Sequence, residues 1–334
     1  MRQPDFNNLL KVLEGKNPDR PTLFELFMNG PVYERLAGRP APDYDSVEYI
    51  VFLAEAFAAG GYDYAHVRAS EFTFDIRREA KVTLSLNSGA GITSRSAFND
   101  YPWPDPEAAD YTQLEKAAPH VPQGMKLIPI GPGGVLENVT ALIGYEDMCM
   151  MLHDDPELLQ DIFNAVGERI LRYYELAVNY DIVGGVMSND DWGFNTQTFL
   201  SVEDMRKYVY PWHKKIVETA HKAGKPVVLH SCGYFGDVMD DVIDVLKYDG
   251  KHSYEDIIMP VEEAYEQWGN RIAILGGIDV DFMIRSTPAE IQKRCRAMLE
   301  RVGDRGGYAL GTGNSVPEYI PQENYFAMID VVRK

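Results

Sequence analysis

The chain has 334 residues, 45% hydrophobic and 25% charged, with 32 basic against 51 acidic side chains and a net charge of −19. That length allows one barrel-sized domain with a sizeable core. The acidic balance excludes a nucleic-acid binder or a protein drawn to an anionic membrane surface, since both need a basic footprint.

The opening Met1-Arg2-Gln3-Pro4-Asp5-Phe6 shows no basic run followed by an apolar stretch, and no segment approaches about 18 uninterrupted apolar residues. A cytoplasmic protein without signal peptide or membrane span is therefore expected. Cys149, Cys232 and Cys295 are too few for a disulfide framework and fit free thiols in a reducing compartment.

Short β-branched or aromatic runs bounded by Gly, Asp or Pro predict strands over 22–27, 64–67, 126–130, 182–187, 226–230, 245–248, 272–275 and 307–310. Amphipathic stretches lie between them. Over 156–180, Leu159, Ile162, Phe163, Val166, Ile170, Tyr173 and Ala177 recur on one helical face, with Pro156 in the first turn behind an aspartate cap. Ser201 and Asp204 open a second helix that Gly224 stops, and Thr287 with Glu290 opens a third that ends at Gly303. Residues 72–92, with Asn87-Ser88-Gly89, alternate like a hairpin, and 94–106 reads as a proline-rich loop. Strands alternating with helices predict an α/β fold. The expected architecture is a (β/α)8 TIM barrel with an N-terminal extension and a hairpin and loop insertion after strand 2. One domain over 1–334 is expected; a doubly wound open sheet is the alternative.

In a barrel the reactive side chains sit just beyond the C-terminal ends of the strands. After the fifth predicted strand comes His230-Ser231-Cys232-Gly233. Residues i and i+2 of a strand project to the same side, so His230 and Cys232 converge on one point. Imidazole with thiolate suits zinc, and catalytic zinc takes three protein ligands with one open position. Glu255 or His252, after the sixth strand, would complete that shell; a polar loop capping a helix is the plain alternative of equal weight. Asn189, Asp190 and Asp191 follow the fourth strand, where paired carboxylates beside Trp192 can clamp a substrate or serve as acid and base. Asp279 and Asn314 follow the seventh and eighth strands, and Asn29 follows the first. Structural roles are the plain reading for each of these and for His66, His120, His153, His213 and His221.

The runs Pro226-Val-Val-Leu-His-Ser-Cys-Gly233, Arg271-Ile-Ala-Ile-Leu-Gly-Gly-Ile-Asp279 and Gly306-Gly-Tyr-Ala-Leu-Gly-Thr-Gly313 resemble the uroporphyrinogen decarboxylase superfamily in order and spacing. The resemblance implies a TIM barrel with one of two activities. One is cofactor-free decarboxylation of uroporphyrinogen, with arginines just after the first strand binding the substrate's carboxylates. That place reads Met28-Asn29-Gly30-Pro31-Val32 here, without arginine. The other is cobalamin-dependent methyl transfer with zinc and a separate corrinoid protein. His230-x-Cys232 is similar to the methyltransferases' motif, whose third ligand is a cysteine in the last strand's loop. Asn314 stands there in this chain.

The resulting expectation is a zinc-dependent methyltransferase acting between a small methylated substrate, such as a methyl ether, and the cobalt of a corrinoid protein. Zinc would be held by His230, Cys232 and Glu255. Asp191 and Asn189 would fix the substrate, Trp192 and Tyr254 would wall it, and Asn29, Asp279 and Asn314 would line its cleft. A metal-free decarboxylase and a non-catalytic ligand-binding barrel are the competing readings.

Overall fold

The computed structural model describes residues 2–76 and 91–333. Its centre is a seven-stranded parallel sheet in sequential order: β1 (Tyr64–Arg68), β2 (Lys126–Ile130), β3 (Val186–Asn189), β4 (Val227–His230), β5 (Gly250–His252), β6 (Ala273–Leu275) and β7 (Tyr308–Ala309). Helices connect the strands, so every C-terminal strand end faces the same way. This is a TIM-barrel-like α/β fold.

The predicted strand over 22–27 is not a regular strand. Leu23 bridges Leu310 in parallel fashion, and Phe24 N–H donates to the Leu310 carbonyl at 2.8 Å. On the other side the Tyr64 hydroxyl contacts both the Glu25 amide at 2.7 Å and the Glu25 carbonyl at 2.8 Å. A side chain stands in for ladder bonds between this segment and β1.

The predicted strand over 245–248 is displaced. Asp241–Val245 forms a π-helical turn, Val245 is 47% exposed, and Lys247 adopts a left-handed φ of 64°. The strand instead uses Gly250, Lys251 and His252, all buried. Hydrophobic runs misplace a strand whose buried residues are polar.

The helix read over 156–180 spans Pro156–Ala177, and Asp155 caps it by accepting from Leu158 N–H at 3.0 Å. Ser201 accepts from Asp204 N–H at 3.1 Å, as its cap role requires. That helix passes through a π-helical turn, Met205–Val209, just before Pro211, whose missing N–H cannot continue the regular ladder. Thr287 and Glu290 form the expected capping box. Residues 94–106, read as loop, contain the helix Arg95–Asp100, capped by Ser94. Most of the proposed hairpin over 72–92 lies outside the described residues. Among the described residues, no helix is long and apolar enough to cross a membrane.

Candidate metal centre

Three donor atoms meet at the ends of β3 and β4. His230 ends β4, and Cys232 follows two residues later on the same side. Cys232 Sγ lies 3.5 Å from His230 Nε2, and Asp191 Oδ1 lies 4.0 Å from that nitrogen. One ligand atom from each of Asp191, His230 and Cys232 falls within 4.8 Å of the others.

Backbone packing brings these loops together. Cys232 N–H donates to Asp191 Oδ1 at 2.8 Å, and Tyr234 N–H donates to the Phe194 carbonyl at 2.7 Å. Gly233, at φ +84°, packs against Gly193 so closely that a Cβ would strike the Gly193 carbonyl. Glycine is therefore required between the metal-facing pair and the rest of the loop.

The electrostatics favour a cation. Burial, and then the Asp191 carboxylate, push the Cys232 thiol up. Burial lowers His230 to about 4, leaving a neutral ring. The nearest buried ammonium, Lys251, is committed elsewhere: it donates to the Ser253 carbonyl at 2.6 Å and the Ser231 carbonyl at 3.2 Å, between the rings of Phe235 and Tyr254. Burial lowers it to about 7. Asn314 Nδ2 donates to Cys232 Sγ at 3.1 Å.

The donor set fits zinc. Bond lengths of 2.0–2.3 Å at tetrahedral angles place donor atoms about 3.4–3.6 Å apart, and the 3.5 Å and 4.0 Å separations are within a small side-chain adjustment of that. Thiolate, imidazole and carboxylate leave one open position.

The remaining predicted site residues divide sharply. Glu255 lies outside the donor group; its carboxyl is half-buried and raised by burial and by Asp279. Its carboxylate accepts from the Gly233 N–H and lines a cleft with Asp279 and Asn314, while its carbonyl accepts from Ile258 and Met259 N–H. His252 contacts His230, not the donor point: the two Nδ1 atoms are 2.8 Å apart. Trp192 and Tyr254 are each only 1% exposed, so neither walls a cleft. Trp192 packs on Tyr210 and His213, and Tyr254 on Phe235. Asp279 caps a turn, accepting from Phe282 N–H and Asp256 N–H. Asn29 caps the helix Gly30–Ala37 and donates to the Val316 and Pro317 carbonyls, so its amide is consumed structurally. Asn189 sits at the mouth, with Nδ2 3.4 Å from Glu137 Oε2 and a buried Oδ1 that has no partner among the described residues.

Three contributors were not anticipated. Glu137, beyond the glycine loop after β2, accepts from Gly134 N–H at 2.7 Å, and burial beside Asp190 and Asp191 raises it to about 8. Lys251 is the second. The third is a cavity of about 620 Å³ at the ends of β1 and β2, lined among others by Leu26, Met28, Tyr33, Tyr49, His66 and Arg68. Only the cavity had a sequence signal, the aromatic residues of 24–49.

The uroporphyrinogen decarboxylase (URO-D) family model matches residues 124–334, which is more than half the chain. The chain belongs to the URO-D family. Among curated relatives, the uroporphyrinogen decarboxylase of Sorangium cellulosum is 24% identical over 183 residues, covering 54% of this chain and 49% of that one. That of Carboxydothermus hydrogenoformans is 23% identical over 189 residues, covering 55% and 50%. The chain thus matches about half the length of these relatives. Among solved structures, a methyltransferase from Methanosarcina mazei superposes with a TM-score of 0.71 at 17% identity, over 97% of this chain and 96% of that one. At that identity the likeness is one of fold.

Proposed function

We propose that this chain is a zinc-dependent methyltransferase that moves a methyl group between a small methylated substrate and the cobalt of a corrinoid protein in the cytoplasm. Its scaffold would be one domain over 1–334, an eight-stranded barrel with segment 22–28 as the first strand. The observation that carries this reading is the convergence of Asp191, His230 and Cys232 at the strand mouths. Asp191 takes the ligand place first given to Glu255. A carboxylate in place of a second thiolate leaves the metal a stronger Lewis acid, and when bound it supplies polarisation of the heteroatom that carries the methyl group.

The chain's own residues do the rest. Asn314 holds the Cys232 sulfur in place through its amide N–H. The cavity beside His66 and Arg68 takes the substrate body against Tyr33, Tyr49 and Met28. Arg68 supplies a positive charge at its rim for an acidic substituent. Glu137 retains its proton near neutral pH beside the unpartnered Asn189 Oδ1, so a proton is held at the mouth for a leaving group. Proximity of donor and acceptor then contributes much of the rate.

The family's other activity, metal-free decarboxylation, has the curated relatives in its favour. It lacks the arginines that would meet the substrate's carboxylates after the first strand. Metal content separates the two. About one zinc per chain is expected in the purified protein, lost in Cys232→Ser and in Asp191→Asn and kept in Glu255→Gln. Methylated corrinoid should form only with the zinc-loaded protein. No zinc in the wild type after reconstitution would overturn the methyltransferase reading in favour of a decarboxylase.

A further inference from the structure

We propose that His252 holds the proton of His230 on Nδ1, leaving the His230 Nε2 lone pair bare and aimed at Cys232 and Asp191. His252 is then a positioning residue for the metal centre. The consequence for metal binding rests on the reading above, whereas the proton assignment rests on geometry alone.

The parallel register of β4 and β5 sets His230 opposite His252. Their rings lie 5.0 Å apart between centroids, and their Nδ1 atoms are 2.8 Å apart, so one nitrogen must donate and the other accept. The far nitrogen decides which. His252 Nε2 lies 3.2 Å from the Thr312 carbonyl oxygen, which only accepts. His252 Nε2 therefore carries the hydrogen. A neutral imidazole has one N–H, so His252 Nδ1 is the acceptor and His230 Nδ1 the donor. Both rings are buried, which favours the neutral forms. His230 Nε2 is left unprotonated, 3.5 Å from Cys232 Sγ.

A ligand histidine ordinarily donates its second N–H to a carboxylate, a backbone carbonyl or water. Here a second imidazole accepts that hydrogen and relays the demand to a backbone carbonyl. The neutral acceptor suits this centre, where Asp191 and Cys232 already bring two potential negative charges. Gly276 keeps the room open: a Cβ there would press on the His252 ring.

The test uses long-range 1H–15N spectra of the 15N-labelled, metal-free protein near neutral pH, for wild type, His252→Phe and His252→Asn. Wild-type His230 is expected as the Nδ1–H tautomer. His252→Asn keeps an acceptor oxygen near the same place and should retain it. His252→Phe should shift His230 toward Nε2–H and weaken zinc affinity about 10–100-fold, with the Asn variant close to wild type. An Nε2–H tautomer in the wild type would overturn the proposal, and the wild-type spectrum decides this even if His252→Phe fails to fold. Nδ1–H persisting in folded His252→Phe would overturn it as well. An Nδ1–H tautomer in a wild type that takes no zinc would sink the metal reading and support this one.

Discussion

The seam beside β7 and the mouth of β3 and β4 both enclose carboxyl groups, and two of them, Glu25 and Asp191, are held in opposite ways. At the seam, Glu25 is fully buried and each of its carboxyl oxygens has a donor. The Thr312 hydroxyl donates to one oxygen at 2.6 Å and the Thr312 amide to the other at 3.2 Å. Burial raises it to about 8, so it is neutral at ordinary pH. At the mouth, Asp191 stands 39% exposed beside a thiol, with one backbone donor and an imidazole at 4.0 Å. A buried carboxyl held at both oxygens by its own chain is part of the frame. A carboxylate that faces other donors across a gap is waiting for a cation.

The same contrast separates two neighbours. Asp190 is 0% exposed and accepts from Leu136 N–H, Glu137 N–H and His213 Nε2, all at 2.9–3.0 Å. It joins β3 to the helix after β2 and to the helix Tyr210–Lys222. Asp190→Ala should destabilise the metal-free protein by about 3–5 kcal/mol, as loss of one partner from a buried network does. Asp191→Ala should cost about 1 kcal/mol or less, the worth of one exposed hydrogen bond. Urea unfolding of the two variants checks this, and equal losses would erase the distinction. Next in size is Thr312→Val, which strips one donor from Glu25. A loss of about 1–3 kcal/mol is expected, with zinc content unchanged. Loss of zinc in that variant would show that the seam and the mouth are not independent.

How much of this could be read in advance follows the same line. His230 and Cys232 were legible because strand geometry alone puts i and i+2 on one side. Asn314 was found through the family motif, and the structure brings it to the Cys232 sulfur. Trp192 and Tyr254 were misread because an aromatic beside polar residues looks the same whether it lines a cleft or lies beneath one. Glu255 stays out of the donor group because its carboxylate is held by the Gly233 N–H, a partner distant in sequence. Strand β5 was missed because the Phe235 ring and the Ser231 carbonyl that help bury Lys251 are distant in sequence. Local pattern reports neither of those two partners.

The pH dependence gives a smaller and more graded test. Glu25 and Glu137 are both raised from 4.5 to about 8 by burial. Between those values the folded state holds more protons than the unfolded one, so these groups' contribution is full below pH 4.5 and fades as pH rises through about 8. His230, lowered to about 4 by burial, acts oppositely and weakens the fold as pH falls through 6.5 toward 4. Glu137→Gln should flatten the decline above pH 4.5 in urea midpoints measured across the range. Glu137→Gln that left the slope intact would mean its carboxyl is ionised in the fold.

The smallest expected effect is at Tyr254. Its hydroxyl is buried without a hydrogen-bond partner among the described residues, while its ring lies 4.6 Å from the Lys251 ammonium and packs edge-on against Phe235. A buried hydroxyl without a partner carries a desolvation cost and returns no bond. Tyr254→Phe keeps the ring and removes that cost, so stability should stay level or rise by up to about 1 kcal/mol. Because the residue is 1% exposed, the substrate KM should not change. A raised KM would put the hydroxyl in the cleft and restore the role first expected for it. A fall in stability with KM unchanged would reveal a partner for the hydroxyl. Only a variant with KM unchanged and stability level or raised leaves Tyr254 where the structure has it, behind Lys251 and outside the site.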